Sequence, residues 1–130
     1  MDIQEIYKIY LSHPTVTTDS RNCPEGSIFI ALKGASFDGN KFAKAALDKG
    51  CSYAIVDEKE YVDTTDERFI LVDDALVTYK ELAREHRRQF SIPVIGITGT
   101  NGKTTSKELI STVLAEKYKV HHTEANYNND

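Results

Sequence analysis

The chain is 130 residues long, with 40% apolar and 28% charged residues and 3 prolines, a balance that fits a globular protein with a packed core and argues against a disordered tail. That length holds one ordinary domain, or one small domain plus a piece of another. The formal net charge of −4, with basic residues scattered along the chain, argues against a protein that works by holding nucleic acid through its phosphates.

The opening Met1-Asp2-Ile3-Gln4-Glu5-Ile6 has no basic stretch followed by an apolar run. No segment approaches the roughly 18 apolar residues that cross a bilayer, so a cytoplasmic protein without membrane contact is expected. Asp2 can cap a helix whose broad apolar face is Ile3, Ile6, Tyr7, Ile9, Tyr10 and Leu11, ending near His13-Pro14. Thr15-Val16-Thr17-Thr18 reads as a short extended piece, Asp19-Ser20-Arg21 as a loop, and Cys23-Pro24-Glu25-Gly26 as a turn. Ser27 to Leu32 has the apolar content of a buried strand. Cys23 and Cys51 lack the spacing of a zinc or redox motif, so both are expected as free thiols, with Cys51 a small core residue.

Gly34 to Asn40 reads as a loop, with Asn40 as the cap of a helix that turns Phe42, Ala43, Ala46 and Leu47 inward and stops at Gly50. Tyr53-Ala54-Ile55-Val56 and Phe69-Ile70-Leu71-Val72 are predicted strands, and Asp73 or Asp74 caps a long helix running to about Gln89. Within it, Arg84-Glu85-His86-Arg87-Arg88 is read as the solvated face of an amphipathic helix. Ser91-Ile92-Pro93 is the best boundary in the chain, dividing residues 1–91 from a second unit, 92–130. That unit is expected to run through a strand Val94-Ile95-Gly96-Ile97, a glycine-rich loop, a helix from Thr104 to about Lys117 with Leu109, Ile110, Val113 and Leu114 inward, and a strand around Lys119 to His122. The fold class is therefore α/β: a small N-terminal domain, then the start of a nucleotide-binding domain. His121 and His122 would point to opposite faces of a strand and are not read as a metal site.

The loop Gly99-Thr100-Asn101-Gly102-Lys103-Thr104 carries the chemistry. A polyphosphate needs donors converging on anionic oxygens, and backbone amides converge only where the chain turns tightly, which glycine permits. Gly99 and Gly102 supply that freedom, the Lys103 amine can reach the outer phosphates, and the Thr104 hydroxyl is placed to hold magnesium. The usual pattern has glycine five residues before the Gly-Lys pair; that position is Ile97 here, so the match is to a shorter variant.

Gly96-Ile97-Thr98-Gly99-Thr100-Asn101-Gly102-Lys103-Thr104-Thr105 resembles the ATP loop of the Mur ligases, which use that shortened spacing. Thr18-Asp19-Ser20-Arg21, Gly26 to Gly34 and Phe37-Asp38-Gly39 resemble the family's N-terminal domain, which binds a UDP-muramoyl substrate. The tail Thr123 to Asp130 resembles a Thr-x-x-Asn-Leu-Asn-Asn segment of the member that adds D-alanyl-D-alanine to UDP-N-acetylmuramoyl-tripeptide, departing from it at Ala125 and Tyr127.

The resemblance implies that Gly99, Thr100, Asn101, Gly102, Lys103, Thr104 and Thr105 hold ATP and that Thr104 ligates Mg2+. It implies that Ser20 and Arg21 help hold the uridine nucleotide, with Gly34, Asp38 and Gly39 nearby, and that Asn126 lines the muramoyl-peptide side. It further implies that the chain is the N-terminal part of a longer three-domain enzyme, inactive alone, so no residue is named as catalytic acid, base or nucleophile. Two alternatives stay open: the related ligase that adds the third residue of the muramoyl peptide, and a non-catalytic nucleotide- or UDP-sugar-binding module. With few strands available to the second unit, Val94 to Ile97 is also expected to be an unpaired edge prone to self-association.

Overall fold

The computed structural model describes residues 1–124, and the chain divides into two compact units, Met1–Ser91 and Ile92–Asp130. In the first, helix α1 (Ile3–Ser12) precedes strands β1 (Val16–Thr17) and β2 (Ile28–Ile30). A 3-10 turn (Gly39–Phe42) leads into α2 (Ala43–Lys49), then β3 (Tyr53–Val56), a second 3-10 turn (Lys59–Tyr61), β4 (Phe69–Leu71) and α3 (Ala75–Arg88). The strands form one sheet in the order β1-β2-β3-β4. Every neighbouring pair is parallel.

Successive side chains of a strand point to opposite faces. Ile28, Ile30, Ile55 and Ile70 therefore pack with Ile6, Tyr7, Ala75 and Leu82 of α1 and α3 on one side. Phe29, Ala31, Ala54 and Val56 pack with Ala43, Ala46 and Leu47 of α2 and with Cys51 on the other. A sheet covered on both faces explains why the strands read as unbroken apolar runs. Each fully buried isoleucine contributes about 1.5–3 kcal/mol relative to exposure. Across the α1–α3 seam, the Tyr7 hydroxyl and His86 Nδ1 share a 3.1 Å hydrogen bond, and the His86 ring stands edge-on to Tyr10 and Phe90.

Local chemistry sets the helix ends. Asp2 and Glu5 form a reciprocal capping box on α1. Asp74 Oδ1 accepts the Val77 N–H at 3.0 Å to cap α3, and Gly50, at φ 127°, closes α2. Two readings of the sequence are corrected. The turn before α2 is capped by Asp38, not by Asn40, whose side chain is buried and bonded elsewhere. Phe42 and Leu11 lie exposed rather than inward, because Phe42 sits at the junction of the 3-10 turn with α2 and Leu11 in the last turn of α1, outside the cluster that Ile6 and Tyr7 join.

In the second unit the described residues contain one helix, α4 (Lys103–Ala115), and no strand. Val94 to Ile97 and Lys119 to His122 were expected to be strands; neither pairs, since a parallel strand needs hydrogen-bonded neighbours and the described part of this unit supplies none. With no sheet to cover them, Leu109 and Val113 of α4 are 63% and 69% exposed, Ile110 is also exposed and Leu114 half-buried, not inward as the helical periodicity suggested. No helix among the described residues is long and apolar enough to cross a membrane.

Candidate functional site

Because the strands are parallel, the loops leaving their carboxyl ends gather along one edge of the sheet, the place where open α/β sheets take ligands. Beyond β2 the chain makes a tight turn in which Lys33 and Asp38 bridge antiparallel. The Gly34 N–H donates to the Phe37 carbonyl at 2.8 Å, and the Gly39 N–H to the Leu32 carbonyl at 2.8 Å. A Cβ on Gly39 would lie 2.7 Å from the Leu32 oxygen and 2.9 Å from its nitrogen, so the two backbone segments approach as closely as they do only because residue 39 lacks a side chain. A Cβ on Gly34 would instead meet the Phe37 ring, 2.8 Å from Cδ1.

Beneath this turn lies a polar network that the sequence did not announce. The Asn40 Nδ2 donates to Asp38 Oδ1 at 2.7 Å and to Asp57 Oδ1 at 2.9 Å, while its Oδ1 accepts the N–H groups of Asp57 and Glu58 at 3.0 and 3.3 Å. Asp57, the first residue after β3, uses its other oxygen to accept the Ala75 N–H at 2.9 Å, tying the start of α3 to the sheet edge. The Lys33 ammonium completes the group, 3.4 Å from Asp57 Oδ1 and paired with Glu58. Burial pushes the Asp57 carboxyl upward, but the Ala75 N–H, the Asn40 amide and the Lys33 ammonium outweigh it and hold the group below the usual carboxylate range. The bond to Glu58, with the Asp57 charge adding to it, raises the Lys33 ammonium against the opposing effect of burial. An asparagine after a glycine and an acid after a strand end are the only sequence signals for this group, and both are common in ordinary turns.

Ser20 and Arg21 lie apart from it in hydrogen bonding, on the crossover that joins β1 to β2 without a helix. Arg21 donates to the Asp19 carboxylate through Nε at 2.9 Å and Nη2 at 3.0 Å, with its side chain 86% exposed. Hydrogen bonding to Asp19 raises the guanidinium, and the same bonds lower Asp19. The Ser20 carbonyl accepts the Lys49 ammonium at 3.0 Å and the Cys23 thiol at 3.3 Å, anchoring the crossover to the end of α2. Burial pushes the Cys23 thiol up to about 11, with Cys51 adding to the rise.

In the second unit, Gly99 and Gly102 take φ values of 150° and 77°, the region that favours glycine. Gly102 directly precedes α4 in a left-handed conformation and, having no side chain, adds no side-chain cap of its own. Thr100, Asn101, Thr104 and Thr105 are exposed. Asn126 lies outside the described residues. Among the described residues no group of three His, Cys, Asp or Glu side chains is placed to hold a metal ion.

Residues 14–89 match the model of the Mur ligase family, catalytic domain, and residues 97–130 match that of the Mur ligase middle domain. The chain is 46% identical over 88% of its length to the UDP-N-acetylmuramoyl-tripeptide--D-alanyl-D-alanine ligase of Synechocystis sp., covering 25% of that protein. It is 37% identical over 98% of its length to the ligase of that name from Bacillus subtilis, covering 30% of it. The chain thus spans 25% to 30% of the length of these two relatives. Its structure superimposes on that of the MurF ligase from Thermotoga maritima in complex with ADP with a TM-score of 0.76 and 37% identity, over 88% of this chain and 26% of that one. A family model that accounts for more than half of the residues, together with the shared parallel sheet, shows that the chain belongs to the Mur ligase family.

Proposed function

We propose that the chain supplies the substrate-binding domain (1–91) and the start of the ATP-binding domain (92–130) of a cytoplasmic, ATP-dependent ligase that joins D-alanyl-D-alanine to UDP-N-acetylmuramoyl-tripeptide. The observation that carries this reading is the similarity, across both units, to relatives named for that reaction. In it, ATP activates the tripeptide carboxylate as an acyl phosphate, and the dipeptide amine attacks that carbonyl to form the amide as phosphate leaves.

Gly99 to Thr105 would hold the nucleotide. Their fit rests on the left-handed Gly102 and the glycine-led start of α4, a backbone suited to anionic oxygens. Lys103 would meet the outer phosphates, and the hard hydroxyl oxygen of Thr104 suits magnesium, which when bound neutralises phosphate charge. Ser20, Arg21, Gly34, Asp38 and Gly39 would serve the uridine nucleotide, and Asn126 the muramoyl peptide.

Isothermal titration of the chain with UDP-N-acetylmuramoyl-tripeptide and, separately, with magnesium ATP tests this. Tripeptide binding lost in Arg21→Ala and ATP binding lost in Lys103→Ala support both assignments; tight binding unchanged by either substitution refutes them.

A second reading has its own support. The chain is 39% identical, over 78% of its length, to the UDP-N-acetylmuramoyl-L-alanyl-D-glutamate--2,6-diaminopimelate ligase of Aquifex aeolicus, covering 21% of that protein. Tighter binding of the muramoyl dipeptide than of the tripeptide would favour it. We also propose that the exposed Val94 and Ile95 promote self-association; a sedimentation profile independent of concentration counts against this.

A further inference from the structure

We infer that Lys33 is an anion-contacting residue at the carboxyl end of β2, held in readiness by Asp57 and Glu58 and released from Glu58 when a diphosphate binds. The ligand class rests on the nucleotide-sugar reading above; the exchange itself rests on geometry.

The backbone of Lys33 is fixed by its bridge to Asp38, so its ammonium can travel only within the reach of its own stem, over the turn that Gly34 and Gly39 keep tight. Its two carboxylate partners are unequal. The Asp57 side chain is 10% exposed and also accepts the Asn40 amide and the Ala75 N–H. It therefore stays satisfied when the lysine moves. Glu58 is 37% exposed, and a pair between such solvent-facing groups is weak and readily exchanged. A diphosphate offers the lysine a more highly charged partner, and charge-assisted bonds to phosphate oxygens are the strong kind. Glu58 thus acts as a placeholder that neutralises the cation until the ligand arrives. This gives Glu58 an opposite sign from a structural partner: removing its charge should help the ligand.

Titrations of the chain with inorganic pyrophosphate, UDP and UDP-N-acetylmuramoyl-tripeptide, read by calorimetry and by the side-chain ammonium resonance of Lys33, test the inference. Lys33→Met should weaken pyrophosphate and UDP binding roughly ten- to a hundredfold, while Lys33→Arg stays within a few-fold of the parent. Glu58→Gln should tighten both about two- to fivefold. Circular dichroism confirms that the variants fold, as expected at the exposed Lys33 and the half-buried Glu58. Equal affinity of parent and Lys33→Met, weaker binding by Glu58→Gln, or no pyrophosphate response at Lys33 overturns the inference. A Lys33-dependent pyrophosphate response, with the full UDP-sugar binding no more tightly, leaves the inference standing and removes the nucleotide-sugar reading. Tight UDP-sugar binding indifferent to Lys33 does the reverse.

Discussion

Asn40 and Asp57 hold each other twice: the Asn40 Oδ1 accepts the Asp57 N–H at 3.0 Å, and the Asn40 Nδ2 donates to the Asp57 carboxylate at 2.9 Å. Asn40 is only 1% exposed, so neither contact has water as a substitute. Asn40→Ala strands the Asp57 and Glu58 N–H groups and should cost about 2–4 kcal/mol, read as a shift of the urea midpoint without change of slope.

The two glycines of the adjoining turn should respond differently to the same methyl group. Gly39→Ala drives a Cβ against the Leu32 backbone, which cannot move without disturbing β2, and should cost about 1–3 kcal/mol. Gly34→Ala meets only the exposed Phe37 ring, which can swing aside, so its cost should stay below about 1 kcal/mol. Thermal melts of the two variants side by side check the order.

Acid should weaken the fold partly through Asp57. Its carboxyl is depressed in the folded state, so its contribution is complete above the ordinary carboxylate pKa of about 3.9 and is lost as pH falls through the lower folded value. Asp57→Asn should be less stable than the parent at pH 7, with the gap narrowing below about pH 4. A gap that stays constant down to pH 2 contradicts the assignment. Asp66, lowered to about 2 by its bonds to Arg68, titrates in both proteins and drops out of the comparison.

Apolar residues should separate sharply by unit. Ile55→Ala removes a side chain buried against α1 and α3 and should cost about 2–5 kcal/mol. Leu109→Ser and Val113→Ser, on the exposed face of α4, should change stability by less than about 0.5 kcal/mol. Chemical denaturation monitored in both units distinguishes the cases.

The first unit was legible because its signals are local. Asp2 with Glu5, Asp74 before Ala75, and Gly50 after Lys49 each act within a turn of where they sit, and the strands carry their own apolar runs. The Asn40 error shows the limit: a helix cap and a buried amide use the same residue after the same glycine, and only the distant Asp57 decides between them. Lys33 stood inside a recognisable segment, yet its partners lie 24 and 25 residues away in sequence. Val94 to Ile97 failed for another reason. Apolar content reports that a segment can be buried, but a strand exists only if a neighbour arrives to pair with it.

The alternation of β2 between two unlike layers has a genetic consequence. Ile28 and Ile30 face α1 and α3, and Phe29 faces α2. One residue inserted within β2, between Ile28 and Phe29, would send the phenylalanine ring into the isoleucine layer and carry Lys33 out of phase with Asp57. Two residues inserted together would restore the parity of the strand. Odd changes of length should therefore be absent from β2 itself and be found in the connections, such as the one between Glu58 and β4, where no strand phase is at stake.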